Sequence, residues 1–80
     1  MDSITQIIEE INKINPKYKQ LIALSQKQTA DAVGVSSSTL ESWRTQAIGP
    51  EYIKVSAGKG RVLYPKTAIA RWLSQTIKTA

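Results

Sequence analysis

In residues 24–44, LSQKQTADAVGVSSSTLESWR, the signal that starts a helix occurs twice in quick succession. Ser25 followed three residues later by Gln28 is a capping-box pattern, and Gly34 stands where a helix end wants a left-handed residue. The spacing predicts a short helix from about Gln26 to Val33 that buries Thr29, Ala30 and Val33. Ser36 then caps a second helix from about Ser37 to Gln46. At about 100° per residue, Leu40, Trp43 and Ala47 share one face of that helix. Ser38, Glu41, Ser42 and Thr45 share the opposite one. The three consecutive serines therefore divide between capping and display: the outward face offers hydroxyls where an ordinary solvated face carries long charged side chains.

The flanks extend the same logic. SITQIIEEIN opens with Ser3 and Gln6 in capping-box spacing and carries Ile4, Ile7, Ile8, Ile11 and Ile14 on one stripe. Asn15-Pro16 should stop it. The segment KYKQLIAL after it is open between an extended run and the end of a helical turn. Beyond the second helix, Gly49-Pro50 breaks the chain, and EYIKVS, AGKG and RVLY read as two strands joined by a glycine-containing loop with a basic tip. PKTAIARWLSQTIK returns to helical period, with Ile69, Trp72, Leu73 and Ile77 on one face and Thr67 as its cap. The fold expected is mainly α with a small β-hairpin. Residues 1–15 form an amphipathic helix and 16–80 one compact module.

Composition narrows the chemistry. Eighty residues support one modest core. There is no cysteine and no histidine, which removes disulfides, thiolate metal sites, the commonest metal ligand and the commonest general base. No catalytic, cofactor or metal site is expected, and an enzyme is the most distant reading. No apolar run reaches the roughly 18 residues that span a bilayer, and MDSITQIIEE is acidic where a signal peptide is basic. A cytoplasmic protein with no membrane partner is expected. Charge is uneven: residues 1–15 hold three carboxylates and one lysine, formally −2, whereas the remainder holds ten Lys or Arg against three carboxylates, formally +7. Such a bias suits a polyanionic partner. The isoleucine stripe reads as core cover or a dimer-packing surface, because its acidic polar face would be repelled by anionic lipid.

Two short helices about a tight glycine turn make a helix-turn-helix. Ala30 is small where the helices cross, Gly34 permits a positive φ, and Leu40 and Trp43 hold the second helix to the core. In DNA-binding proteins of this kind the second helix enters the major groove. From Leu24 to Leu73 the order of parts resembles the small winged-helix DNA-binding domains of the excisionase and AlpA-like group, related to the heads of MerR-type regulators: helix-turn-helix, Gly-Pro break, YIKV strand, basic wing, VLY strand, then a closing helix with RWL. The GKG wing and VLY strand are also similar to the DNA-recognition domains of phage terminase small subunits. Residues 3–14 fall outside the resemblance.

The resemblance implies a winged helix-turn-helix with an additional N-terminal helix and a non-catalytic role on double-stranded DNA in a bacterial phage or mobile element, directing recombination or regulating transcription. It places Ser37, Ser38, Glu41, Ser42 and Thr45 at the major groove and Arg44 at a flanking phosphate. Members often carry an arginine near the start of this helix. Here there are only serines, so a bidentate arginine–guanine contact is missing there. The wing residues Lys59 and Arg61 fall along the minor groove or its phosphates, and Lys27, Lys54 and Lys66 are further phosphate candidates. A second copy of the chain, an integrase and RNA polymerase are the protein partners such a factor would have. A terminase-type DNA-recognition module and a protein-interaction module that has lost DNA are the alternatives.

Overall fold

The computed structural model describes residues 3–55 and 61–76. In chain order these form α1 (Ser3–Ile14), a 3-10 turn (Pro16–Gln20), β1 (Ala23–Ser25), α2 (Gln26–Val33), α3 (Ser37–Thr45), β2 (Ile53–Val55), β3 (Arg61–Pro65) and α4 (Lys66–Thr76). The described chain is thus mainly helical with one small antiparallel sheet. Among the described residues no helix is long and apolar enough to cross a membrane.

Local chemistry sets the boundaries. Asn15 turns extended after α1, and its side chain accepts from the Lys17 amide at 3.0 Å, so Pro16 opens the 3-10 turn instead of prolonging the helix. Ser25 ends β1 and caps α2 at once: its Oγ accepts from the Gln28 amide while Gln28 Oε1 accepts from its own, the reciprocal pair the sequence predicts. Gly34, at φ 97°, ends α2 in the left-handed region. Ser36 caps α3 through the Thr39 amide.

Three expectations need correction. The sheet has three strands in the order β1-β3-β2, where the sequence predicts only the β2–β3 pair. β3 is its centre, with Leu24 opposite Tyr64 and Ile53 opposite Leu63. β1 is three residues long and merges into a capping box, so it has no alternation of its own to read. Thr67 lies inside the first turn of α4 and is exposed, because the helix already begins at Lys66. Ala47 does not share the buried face of Leu40: α3 ends at Thr45, and Ala47 is an exposed residue at φ 62°. There it closes a Schellman turn, with the Ile48 amide bonded to the Trp43 carbonyl and its own to that of Arg44. Gly49 follows at φ 90°, where a Cβ would meet that of Trp43 at 3.2 Å.

One core serves every helix. Ile11, Tyr18, Leu24, Ala30, Leu40, Tyr64 and Ile69 form it, with Ile7, Val33, Trp43 and Leu73 packed against its edge. Each large aliphatic side chain buried in this way contributes about 1.5–3 kcal/mol. α1 lies along α4, so Ile11 completes the core, while Ile14 at its end is exposed. The Ser3 and Ser74 hydroxyls meet at 3.1 Å, and Trp43 of α3 packs on Trp72 of α4 with ring centroids 5.3 Å apart. Ile77 and the hairpin tip, with Lys59, lie outside the described residues.

Lys66 is only 8% exposed, and its Nζ donates to Asn12 Oδ1 at 2.7 Å and to the Tyr18 carbonyl at 2.8 Å. This corrects its reading as a phosphate contact: the ammonium is spent joining α1, the 3-10 turn and α4. Lys66→Met should cost about 2–3 kcal/mol in urea unfolding, because two charge-assisted bonds vanish and the Tyr18 carbonyl is left with the Leu21 amide as its one donor. A cost below about 0.5 kcal/mol, ordinary for an uninvolved surface site, would mean that the pin is idle. Ala47→Gly should raise stability by about 0.5–1 kcal/mol, since the left-handed region strains alanine and the added chain freedom of glycine offsets only part of that. Destabilisation in the same assay would contradict the strain.

Candidate nucleic-acid interface

The displayed helix is held on its inner side by apolar contacts and on its flank by a polar network. Leu40 is fully buried, and Trp43 is wedged between the core and Trp72. Beside them Gln26, the first residue of α2, reaches over to α3. Its Nε2 donates to the Ser37 carbonyl at 3.3 Å and lies 3.4 Å from Glu41 Oε1, while its Oε1 accepts from Arg44 Nη1 at 2.6 Å. The same Arg44 nitrogen is 3.5 Å from the Tyr64 hydroxyl, and the guanidinium sits 5.8 Å from the centroid of the Tyr52 ring. Tyr52 in turn packs on Tyr64 with centroids 6.0 Å apart.

Arg44 is therefore placed differently from the flank-and-phosphate position the resemblance implies. Its guanidinium faces Gln26, Tyr64 of β3 and Tyr52 just before β2, and it fixes α3 against all three. Gln26, Tyr52 and Tyr64 belong to this arrangement without having been marked by the sequence. A glutamine just after a cap reads as a generic first-turn residue, and a tyrosine in a strand reads as core.

Ser38, Glu41, Ser42 and Thr45 are all exposed and lie together on the outward face of α3; Ser37 is half-buried, with its carbonyl taken by Gln26. The hydroxyls are partly committed. Ser38 Oγ is 3.3 Å from Ser36 Oγ, whose hydrogen goes to Thr39 Oγ1 at 2.9 Å. Thr45 Oγ1 donates to the Ser42 carbonyl at 2.9 Å, and Ser42 Oγ accepts from Gln46 Nε2 at 2.9 Å. What remains is acceptor capacity at Ser38 and Thr45, the Glu41 carboxylate apart from its Oε1 contact with Gln26, and a donor at Ser42.

The candidate phosphate-contacting cations divide into three groups. Lys27, Lys54 and Arg61 are exposed; Lys66 is buried and Arg44 half-buried, both bonded to other parts of the protein; Lys59 is outside the described residues. In the β2–β3 register Lys54 pairs with Val62 and Val55 with Arg61, so Lys54 and Arg61 emerge on opposite faces of the hairpin. Among the described residues no three of Asp, Glu, His or Cys gather as metal ligands would.

A double-mutant cycle on Gln26→Ala and Arg44→Ala tests the network. Chemical unfolding should show the two losses overlapping by about 1 kcal/mol, as groups sharing a hydrogen bond do. Strict additivity would mean that the 2.6 Å contact contributes nothing to the position of α3.

No protein-family model matches this chain, and no curated protein or solved structure matches it either, so the use of this face has to follow from its own chemistry.

Proposed function

We propose that the chain is a winged helix-turn-helix protein that binds duplex DNA without catalysis, with α3 in the major groove and the β2–β3 hairpin as the wing. The observation that carries this reading is the outward face of α3: a short polar helix end displaying Ser38, Glu41, Ser42 and Thr45, backed by a buried Leu40 and locked by Arg44 and Gln26. Side chains of that size allow the helix backbone close to base edges. The formal charge of +7 outside residues 1–15 supplies attraction to phosphate.

The face offers more acceptors than donors, which suits the exocyclic amino groups of cytosine and adenine better than the acceptor edge of guanine. The opposed positions of Lys54 and Arg61 fit a hairpin entering a groove, one cation towards each phosphate backbone. Lys27 at the start of α2 is a third phosphate candidate, and Lys59 of the GKG sequence a fourth. Within this class the order of elements supports an excisionase-like or AlpA-like factor working in the bacterial cytoplasm; a terminase-type recognition module would use the same face.

Fluorescence anisotropy with a pool of random-sequence duplexes tests the reading. Binding should weaken with salt, and Lys54→Ala together with Arg61→Ala should make the slope of log K against log[salt] shallower by roughly 1.8, about 0.9 for each phosphate. Ser38→Ala and Ser42→Ala should shift the sequences selected from the pool and leave the melting temperature in place. Absence of binding at about 50 mM salt, where the electrostatic contribution is strong, would reject the proposal.

A further inference from the structure

A groove of about 500 Å³ runs between the α3–β2 connection, the end of β3 and the first turns of α4. Its walls combine Ile48, Tyr52 and Ile53, which are 52%, 44% and 51% exposed, with the cations Arg44 and Arg71. The connection is braced in a form that keeps Ile48 outward. Ala47 holds a left-handed φ of 62°, the Ile48 amide is tied to the Trp43 carbonyl at 2.8 Å, and Pro50 is buried. Strain of this kind beside a half-exposed isoleucine is a feature that stability alone does not favour.

The polar chemistry of the groove is equally specific. Glu51 Oε1 lies 3.9 Å from Arg71 Nη1, with side chains 86% and 55% exposed. A pair that open contributes little, so another carboxylate can take the place of Glu51 at small cost. Arg44, stacked on Tyr52, adds positive potential without being free to leave. The groove lining includes none of Ser38, Glu41, Ser42 and Thr45, so occupancy here uses none of the displayed side chains of α3.

We propose that this groove docks an acidic peptide segment of a partner protein, seating one large apolar side chain on Ile48 and Ile53 and a carboxylate on Arg71 in place of Glu51. The inference goes beyond DNA binding and does not depend on it. Duplex DNA fits this surface poorly, since half-exposed isoleucines offer phosphate nothing. The α1 of a second copy offers less apolar surface: its Ile7 and Ile11 are turned into its own core, leaving Ile14 at the helix end.

The test is panning of random displayed peptides against the full chain, followed by anisotropy with the labelled selected peptide. Enriched sequences should join Asp or Glu to Leu, Ile, Phe or Trp. Arg71→Glu and Ile48→Ser should each weaken the peptide about tenfold or more, as loss of a central anchor does. Glu51→Gln should tighten it about two- to fivefold by removing the internal competitor. Both weakened positions are exposed, so unchanged circular dichroism and melting should accompany the loss. No enrichment, enrichment without carboxylates, or peptides indifferent to all three variants would overturn the proposal. So would self-association in sedimentation that Ile48→Ser abolishes, which assigns the groove to a second copy. Loss of duplex affinity in Arg71→Glu without peptide binding would also overturn it and assign the groove to DNA.

Discussion

The 2.6 Å hydrogen bond from Arg44 to Gln26 decides where α3 points. An α-helix of nine residues has little surface with which to hold its own orientation, and here one side must stay free. Leu40 and Trp43 fix its depth in the core, but apolar packing tolerates small rotations. The bond from Arg44 Nη1 to Gln26, with the Tyr52 ring and Tyr64 hydroxyl alongside, removes that freedom. Because Tyr52 enters β2 and Tyr64 lies in β3, the same network relates the displayed helix to the hairpin. Any ligand that touches both meets them in a fixed relation, so less ordering is needed on binding.

A second polar pin ties α1 to the rest of the domain. A domain of this length has few apolar side chains to spend, and without α1 its core would lack the Ile11 cover over α4. Lys66 secures that cover by reaching Asn12 on α1 and the Tyr18 carbonyl in the 3-10 turn. The acidic helix thereby becomes part of the one core, and its carboxylates Glu9 and Glu10 remain exposed on it. The two pins use two basic residues that composition alone would count towards phosphate.

Much of the fold was legible because its signals are local. The caps at Ser25 and Ser36, the left-handed Gly34, the stop at Asn15-Pro16 and the isoleucine period of α1 each need only a few neighbouring residues, and each is where the sequence puts it. β1 was not legible, because three residues acquire strand character only by pairing with β3, some forty positions later. For the same reason the outward set Ser38, Glu41, Ser42 and Thr45 follows from helical period, whereas the commitments of Arg44 and Lys66 do not. Their partners are 18 and 54 residues away in sequence. A count of cations cannot separate an arginine spent on a glutamine from one offered to solvent. Ala47 is a subtler case: alanine favours helix, and tertiary packing of Trp43 and Gly49 forces it past the helix end.

We propose that the outward face of α3, oriented by Arg44, is a surface for duplex DNA. The most direct measurement is a titration of the ¹⁵N-labelled protein with a random-sequence duplex at low salt, followed by amide chemical shifts. The changes should centre on residues 36–45 and the β2–β3 hairpin, with α1 and the Lys66 contacts quiet. Changes confined to α1 or to the Ile48–Arg71 groove, or none at all, would contradict it.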